Sequence, residues 1–215
     1  MLNVYLVTDR LLAGERDELE IVRAALEAGV RVVQYREKQL TTRQQMEQAA
    51  RIRRLVNEYR GRFLVNDRLD IALAVEADGV HLGQDDLPLH EARRILGPGP
   101  VIGVSVQNRE EALEAQAGGA DYLGVGALFS TPTKSEAPVV GLKGLQEIHR
   151  AVEIPLVAIG GINRGNALEV IAAGADGLAV VSAIVAAPDP GLAASQLVEL
   201  ARWAKEVRSG CTSRT

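Results

Sequence analysis

Cysteine is almost missing from this chain. Cys211 is the only one in 215 residues, so neither an internal disulfide nor a cysteine-based metal site can form. Aromatic residues make up 3% of the sequence, too few for the stacking platforms that hold single-stranded nucleic acid. There is no basic run and the net charge is −4, so the electrostatic footprint of a nucleic-acid partner is absent as well. No apolar stretch approaches the ~20 residues that span a bilayer. The first residues enter a strand-like run, Asn3-Val4-Tyr5-Leu6-Val7, without a charged prefix, and no signal peptide is expected. These absences leave a cytoplasmic protein whose partners are small molecules, with no nucleic acid and no membrane. A homodimer is compatible with this composition.

Apolar residues make up 47% of the chain and charged residues 24%, an ordinary globular balance that can bury a substantial core. One local pattern recurs. A helix-like segment ends in small residues, a turn residue comes next, and an apolar strand begins: Ala28-Gly29-Val30, Ala77-Asp78-Gly79-Val80, Gly119-Ala120-Asp121-Tyr122 and Gly174-Ala175-Asp176-Gly177. Glycine after a helix supplies its left-handed cap, and the β-branched run beyond it favours a buried strand. Further strands are predicted at Asn3–Thr8, Phe63–Asn66, Val101–Ser105 and Pro155–Ile159, eight in all. Segments of helical periodicity lie between them, among them 18–28, 42–59, 89–96 and 191–207. Strict alternation predicts a parallel sheet. Eight units of this size predict a single-domain (β/α)8 barrel over residues 1–207, with 208–215 as a disordered tail. An open doubly wound sheet is disfavoured because no glycine-rich dinucleotide fingerprint comes after the first strand.

In such a barrel the chemistry sits where strands end. Strand three stops at Asn66-Asp67, and strand four at Gly83-Gln84-Asp85-Asp86. Neighbouring parallel strands bring Asp67 and Asp86 to one edge, where they could share a hard cation, magnesium before zinc. Both could equally be loop or helix-cap residues. Strand two ends Gln34-Tyr35-Arg36-Glu37-Lys38, and alternation puts Gln34, Arg36 and Lys38 on one face. These cations either clamp a phosphate or diphosphate or pair with Glu37, Asp9 or Asp67. Ser105 ends strand five as a hydroxyl donor or a helix cap. The long connection after strand six carries Thr131, Thr133 and Lys134, a further anion-binding set. Strands seven and eight run into Gly160-Gly161 and Val181-Ser182, where backbone amides can form an anion nest. Three anion-holding sets and one carboxylate pair on one rim point to two phosphorylated substrates, one of them a metal-bound diphosphate.

Seven stretches, in order between Tyr5 and Ile162, carry a closer likeness that extends to about Ile184. Tyr5-Leu6-Val7-Thr8-Asp9, Gln34-x-Arg36-x-Lys38, Asn66-Asp67, Ala77 to Asp86, Gly103-Val104-Ser105, Thr131-Pro132-Thr133-Lys134 and Gly160-Gly161-Ile162 resemble the thiamine phosphate synthase family. The resemblance implies a Mg2+-dependent transferase that joins hydroxymethylpyrimidine diphosphate to thiazole phosphate and releases diphosphate. It implies Mg2+ on Asp67 and Asp86. The pyrimidine diphosphate would meet Gln34, Arg36, Lys38, Asn66, Ser105 and Lys134. The thiazole phosphate would meet Thr131, Thr133, Gly161, Val181 and Ser182. Arg36, Lys38, Ser105 and Lys134 would carry the catalytic work.

Thiazole tautomerases share the barrel but use a histidine two positions after the strand-five serine, where this chain has Gln107. An amide does no acid–base work near neutral pH. The tautomerase and a non-catalytic phosphometabolite-binding regulator are the alternatives to the synthase. The loop from Phe129 to Gly141 is expected to close over substrate. His81, inside a strand, is expected to be packed and hydrogen-bonded rather than catalytic.

Overall fold

A computed structural model describes residues 3–130 and 138–212. The elements alternate as the sequence predicts: β1 (Val4–Val7), α1 (Arg10–Ala13), α2 (Glu18–Glu27), β2 (Val32–Tyr35), α3 (Thr42–Glu58), β3 (Arg62–Asn66), α4 (Leu69–Ala74), β4 (Gly79–Leu82), α5 (Leu89–Leu96) and β5 (Val101–Val106). Next come α6 (Arg109–Ala117), β6 (Tyr122–Val125), α7 (Gly141–Ala151), β7 (Leu156–Ile159), α8 (Ala167–Ala172), β8 (Gly177–Val180), α9 (Ser182–Val185) and α10 (Pro190–Thr212). All strands are parallel, and β8 pairs back onto β1 through Val4↔Leu178 and Leu6↔Val180, closing a (β/α)8 barrel.

Closure is explained by the burial of both strand faces. Leu6, Val33, Phe63, Val65, Val80, Ile102 and Leu123 pack outward beneath the helices. Their inward neighbours Tyr5, Val7, Val32, Leu64, Tyr122, Val157 and Ala179 form a separate cluster that fills the lumen. The helices supply the other half of the outer layer. On α2, Ile21, Val22, Ala25 and Leu26 face the sheet; on α3, Ala49, Ile52, Leu55 and Val56 do. A capping box between Thr41 and Gln44 starts α3.

The repeated acid before a strand has a physical role. Asp78 precedes β4 and accepts the Phe63 backbone N–H of β3 at 2.7 Å. Asp121 precedes β6 and accepts from Ile102 N of β5 at 2.7 Å, and Asp176 precedes β8 and accepts from Leu156 N of β7 at 3.0 Å. Two of these acids also hold an arginine, Arg53 on Asp78 and Arg93 on Asp121. Each such carboxylate therefore ties the bottom of one strand to the start of its neighbour.

Two short helices, α1 and α9, stand at the ends of β1 and β8. Helix α10 runs from Pro190 to Thr212. Helix α7 begins at Gly141. Among the described residues no helix is long and apolar enough to cross a membrane.

Candidate active site

At the C-terminal end of the barrel a cavity of about 140 Å³ opens between the strand ends. A larger recess, about 580 Å³, lies outside the barrel against α2 and α3. Position decides between them, because only the first is lined by residues from strand ends all round the sheet. Gln34, Arg36, Asn66, Ser105, Gly161, Val181 and Ser182 all line it. Seven of the residues proposed from the sequence are thereby brought together.

The half of the mouth above β2 to β5 is charged, and its charges are paired. Asp9 caps α1, accepting from Leu12 N with Oδ1 at 3.1 Å, and holds Arg36 with Oδ2 at 3.0 Å. Thr8 accepts the Arg36 backbone N–H at 3.1 Å. Lys38 pairs with Asp67. The ion-pair alternative weighed for Arg36 and Lys38 is therefore realised in the free protein, with Asp9 and Asp67 as partners. Glu37 does neither; its Oε1 accepts from Gln39 N and Leu40 N. Lys38, Asp67 and Asp86 stand beside the cavity and do not line it. Lys38 and Arg36 also border an adjoining recess with Asp9.

Asp67 and Asp86 do meet. Their carboxyl groups are hydrogen-bonded to each other. Burial works against ionisation of Asp67, but its bonds from Asp86 and Lys38, with the charge of Lys38, outweigh it and lower its pKa. Burial and the Asp67 carboxylate raise that of Asp86. Two acids held this close share a proton unless a cation intervenes. Asp86 Oδ2 also accepts from Gly83 N at 2.6 Å. Asp67 sits in the left-handed region with φ of 59°, a conformation that aspartate tolerates better than most residues. Neither acid caps a helix: the N-cap residues of α4 and α5 are Arg68 and Pro88, with no side-chain cap bond. Among the described residues no group of three or more His, Cys, Asp and Glu could hold a metal. A pair of hard carboxylates without nitrogen or sulfur fits Mg2+, which keeps waters and takes substrate phosphate oxygens as further ligands.

The half above β6 to β8 carries little charge among its described residues and is built from backbone. Gly161 has φ of 68°, and a Cβ placed there would lie 2.8 Å from Phe129 Cβ. Val181 precedes α9 and Ser182 begins it. Thr131, Thr133 and Lys134 lie outside the described residues, as does most of the loop expected to close.

Ser105 is not a cap, since Asn108 takes that place on α6. It bonds to His81, with its Oγ 2.9 Å from Nε2, while His81 Nδ1 lies 2.8 Å from the Tyr122 hydroxyl. The packed, hydrogen-bonded His81 agrees with the sequence reading. Sequence reasoning gave no role to Tyr122 and none to Tyr5 beyond its motif, although both line the cavity. The available signal was a polar atom at an inward strand position in a chain with few aromatics. Gln107 lines the cavity as well, where a tautomerase would place histidine.

Comparison with known proteins agrees with this geometry. A family profile described as thiamine monophosphate synthase matches residues 4–184. The thiamine-phosphate synthase of Moorella thermoacetica is 50% identical over 94% of this chain and 97% of its own length. That of Chloroflexus aurantiacus is 52% identical over 94% of each. The solved structure of thiamine phosphate pyrophosphorylase from Pyrococcus furiosus superimposes with a TM-score of 0.88 at 47% identity, covering 94% of this chain and 96% of that one.

Proposed function

The chain belongs to the thiamine monophosphate synthase family, and we propose that it performs the family's transfer at the barrel mouth with the residues assembled there. It is a transferase of thiamine biosynthesis that condenses hydroxymethylpyrimidine diphosphate with thiazole phosphate and releases diphosphate. Its partners are therefore small anionic molecules, and a cytoplasmic location suits them.

The observation that carries the assignment of roles is the split mouth. A charged half with two cations and an acid pair faces a glycine-built half across one cavity. The first suits a diphosphate, the second a monoester phosphate held by backbone amides. In the reaction the bond between the pyrimidine methylene and the diphosphate oxygen breaks, and its electron pair leaves with the diphosphate. The thiazole nitrogen contributes the pair that forms the new C–N bond, so no general base is needed. Arg36 and Lys38 exchange Asp9 and Asp67 for the diphosphate oxygens and stabilise the charge that accumulates on them. Gln34 and Asn66 orient the pyrimidine, and Ser105 donates to the leaving group. Lys134 joins the diphosphate cluster, and Thr131 and Thr133 join Gly161, Val181 and Ser182 around the thiazole phosphate. Asp67 and Asp86 would hold Mg2+, which when bound neutralises diphosphate charge. Holding both substrates in one cavity supplies much of the remaining rate.

The test is diphosphate release by the purified protein. Release should require both substrates and Mg2+ and stop with chelator. Isomerisation of a thiazole carboxylate phosphate without diphosphate release would support the tautomerase instead, against the presence of Gln107.

A further inference from the structure

Five polar side chains from five different strands form one hydrogen-bonded chain across the lumen. Gln34 Nε2 donates to the Tyr5 hydroxyl at 2.6 Å, and the Tyr5 and Tyr122 hydroxyls lie 2.9 Å apart. Tyr122 meets His81 Nδ1 at 2.8 Å, and His81 Nε2 meets Ser105 Oγ at 2.9 Å. All five line the mouth cavity. The chain is held from behind: a Cβ at Gly124 would lie 2.7 Å from His81 Cε1, and one at Gly103 would lie 2.1 Å from the Tyr122 ring. Only glycine at these positions lets the two rings sit as they do.

A phenol has one proton to give, so the direction of each bond constrains the next. Tyr5 and Tyr122 are almost fully buried, and burial raises both phenol pKa values, so each keeps its proton. Tyr5 accepts from Gln34 and must place its own proton on Tyr122, or leave it buried and unmet. Tyr122, having accepted, donates to His81 Nδ1. A neutral His81 that accepts at Nδ1 carries its proton on Nε2 and donates it to Ser105 Oγ. Ser105 then accepts on its inner side and keeps its own proton for the cavity.

We propose that Tyr5, Tyr122 and His81 are positioning residues that transmit donor–acceptor polarity from Gln34 to Ser105, fixing the serine hydroxyl as a donor toward bound substrate. The consequence for the leaving diphosphate rests on the proposed synthase function, but the polarity itself belongs to the protein without substrate. The chain also links the two ends of the pyrimidine site. A ligand that accepts from the Gln34 amide nitrogen, and so turns it from Tyr5, would loosen the orientation of Ser105 on the far side.

The direct test is 15N NMR of unliganded protein labelled in its histidine rings, with His81 assigned by loss of its signals in His81→Asn. His81 should carry its proton on Nε2 at neutral pH, and in Tyr122→Phe it should become a mixture or turn to Nδ1–H. A wild-type proton on Nδ1, or a tautomer indifferent to Tyr122→Phe, would overturn the proposal whether or not the enzyme is active. In kinetics, Tyr122→Phe should lower kcat about tenfold, the worth of one well-placed hydrogen bond, with both KM values nearly unchanged. Combined with Ser105→Ala it should add nothing, because the two act through one hydroxyl. Full additivity would reduce Tyr122 to packing. Should Tyr122→Phe fail to fold, the wild-type tautomer alone still decides.

Discussion

The two ends of the barrel use aspartate in opposite ways. At the bottom, Asp78, Asp121 and Asp176 each accept a backbone N–H from the neighbouring strand, and Arg53 and Arg93 neutralise two of them. At the top, Asp67 and Asp86 face each other, share a hydrogen bond and shift in opposite directions. The bottom acids are satisfied by backbone donors of the barrel and, for two of them, by arginine. The top pair is held by Lys38, by the Gly83 backbone and by the proton between the two acids. Acids whose pKa values are pushed apart in this way mark a candidate binding site.

Replacing acids at each end separates the two roles. Asp67→Asn should cut kcat/KM about a thousandfold, in the range seen when a charge-stabilising group is lost. Its melting temperature should hold or rise, because asparagine also tolerates the left-handed backbone and removes the repulsion; a clear drop would make Asp67 structural. Asp78→Ala should show the reverse. Chemical denaturation should report a loss of about 1–3 kcal/mol, from a backbone N–H and a guanidinium left without their acceptor, while activity per folded molecule stays unchanged. Gly161→Ala tests the uncharged half of the mouth. It should raise KM for the thiazole phosphate with kcat nearly intact and cost about 1 kcal/mol of stability, since its φ is left-handed and Phe129 stands in the way.

The smallest effect concerns an acid of neither end. Glu18 is buried on α2, and its Oε1 meets no partner among the described residues. Burial raises its pKa, only partly offset by bonds from Gln48 and Thr8. A raised folded-state pKa contributes stability that is complete below the ordinary value of 4.5 and is lost as pH rises through the folded value. Glu18→Gln should therefore match wild type in acid and exceed it slightly at neutral pH, as read by melting temperature across that range.

Much of this was legible in the sequence, for physical reasons. Burial on both faces makes each strand a continuous apolar run, so all eight could be placed. Strand ends are short, so Gln34, Asn66, Ser105 and Val181 had to reach one rim. What alternation cannot state is which inward residues meet across the lumen. That depends on barrel stagger, and so the link from Tyr5 through Tyr122 to His81 stayed hidden. Nor could the sequence choose between a clamp and an ion pair for Arg36 and Lys38, because the answer changes with what is bound.

The last helix has a consequence for how the protein is made. Helix α10 packs on α2, α8 and β1, and Lys205 Nζ reaches Asn3 Oδ1 at 2.8 Å. The first strand finds its second neighbour only in β8, and α10, later still in the chain, covers the seam. On the ribosome, then, the edge of β1 that β8 covers has no partner until β8 has emerged, however early β1 and β2 pair. Exposure of that edge to wrong pairing lasts for the whole interval between the two strands.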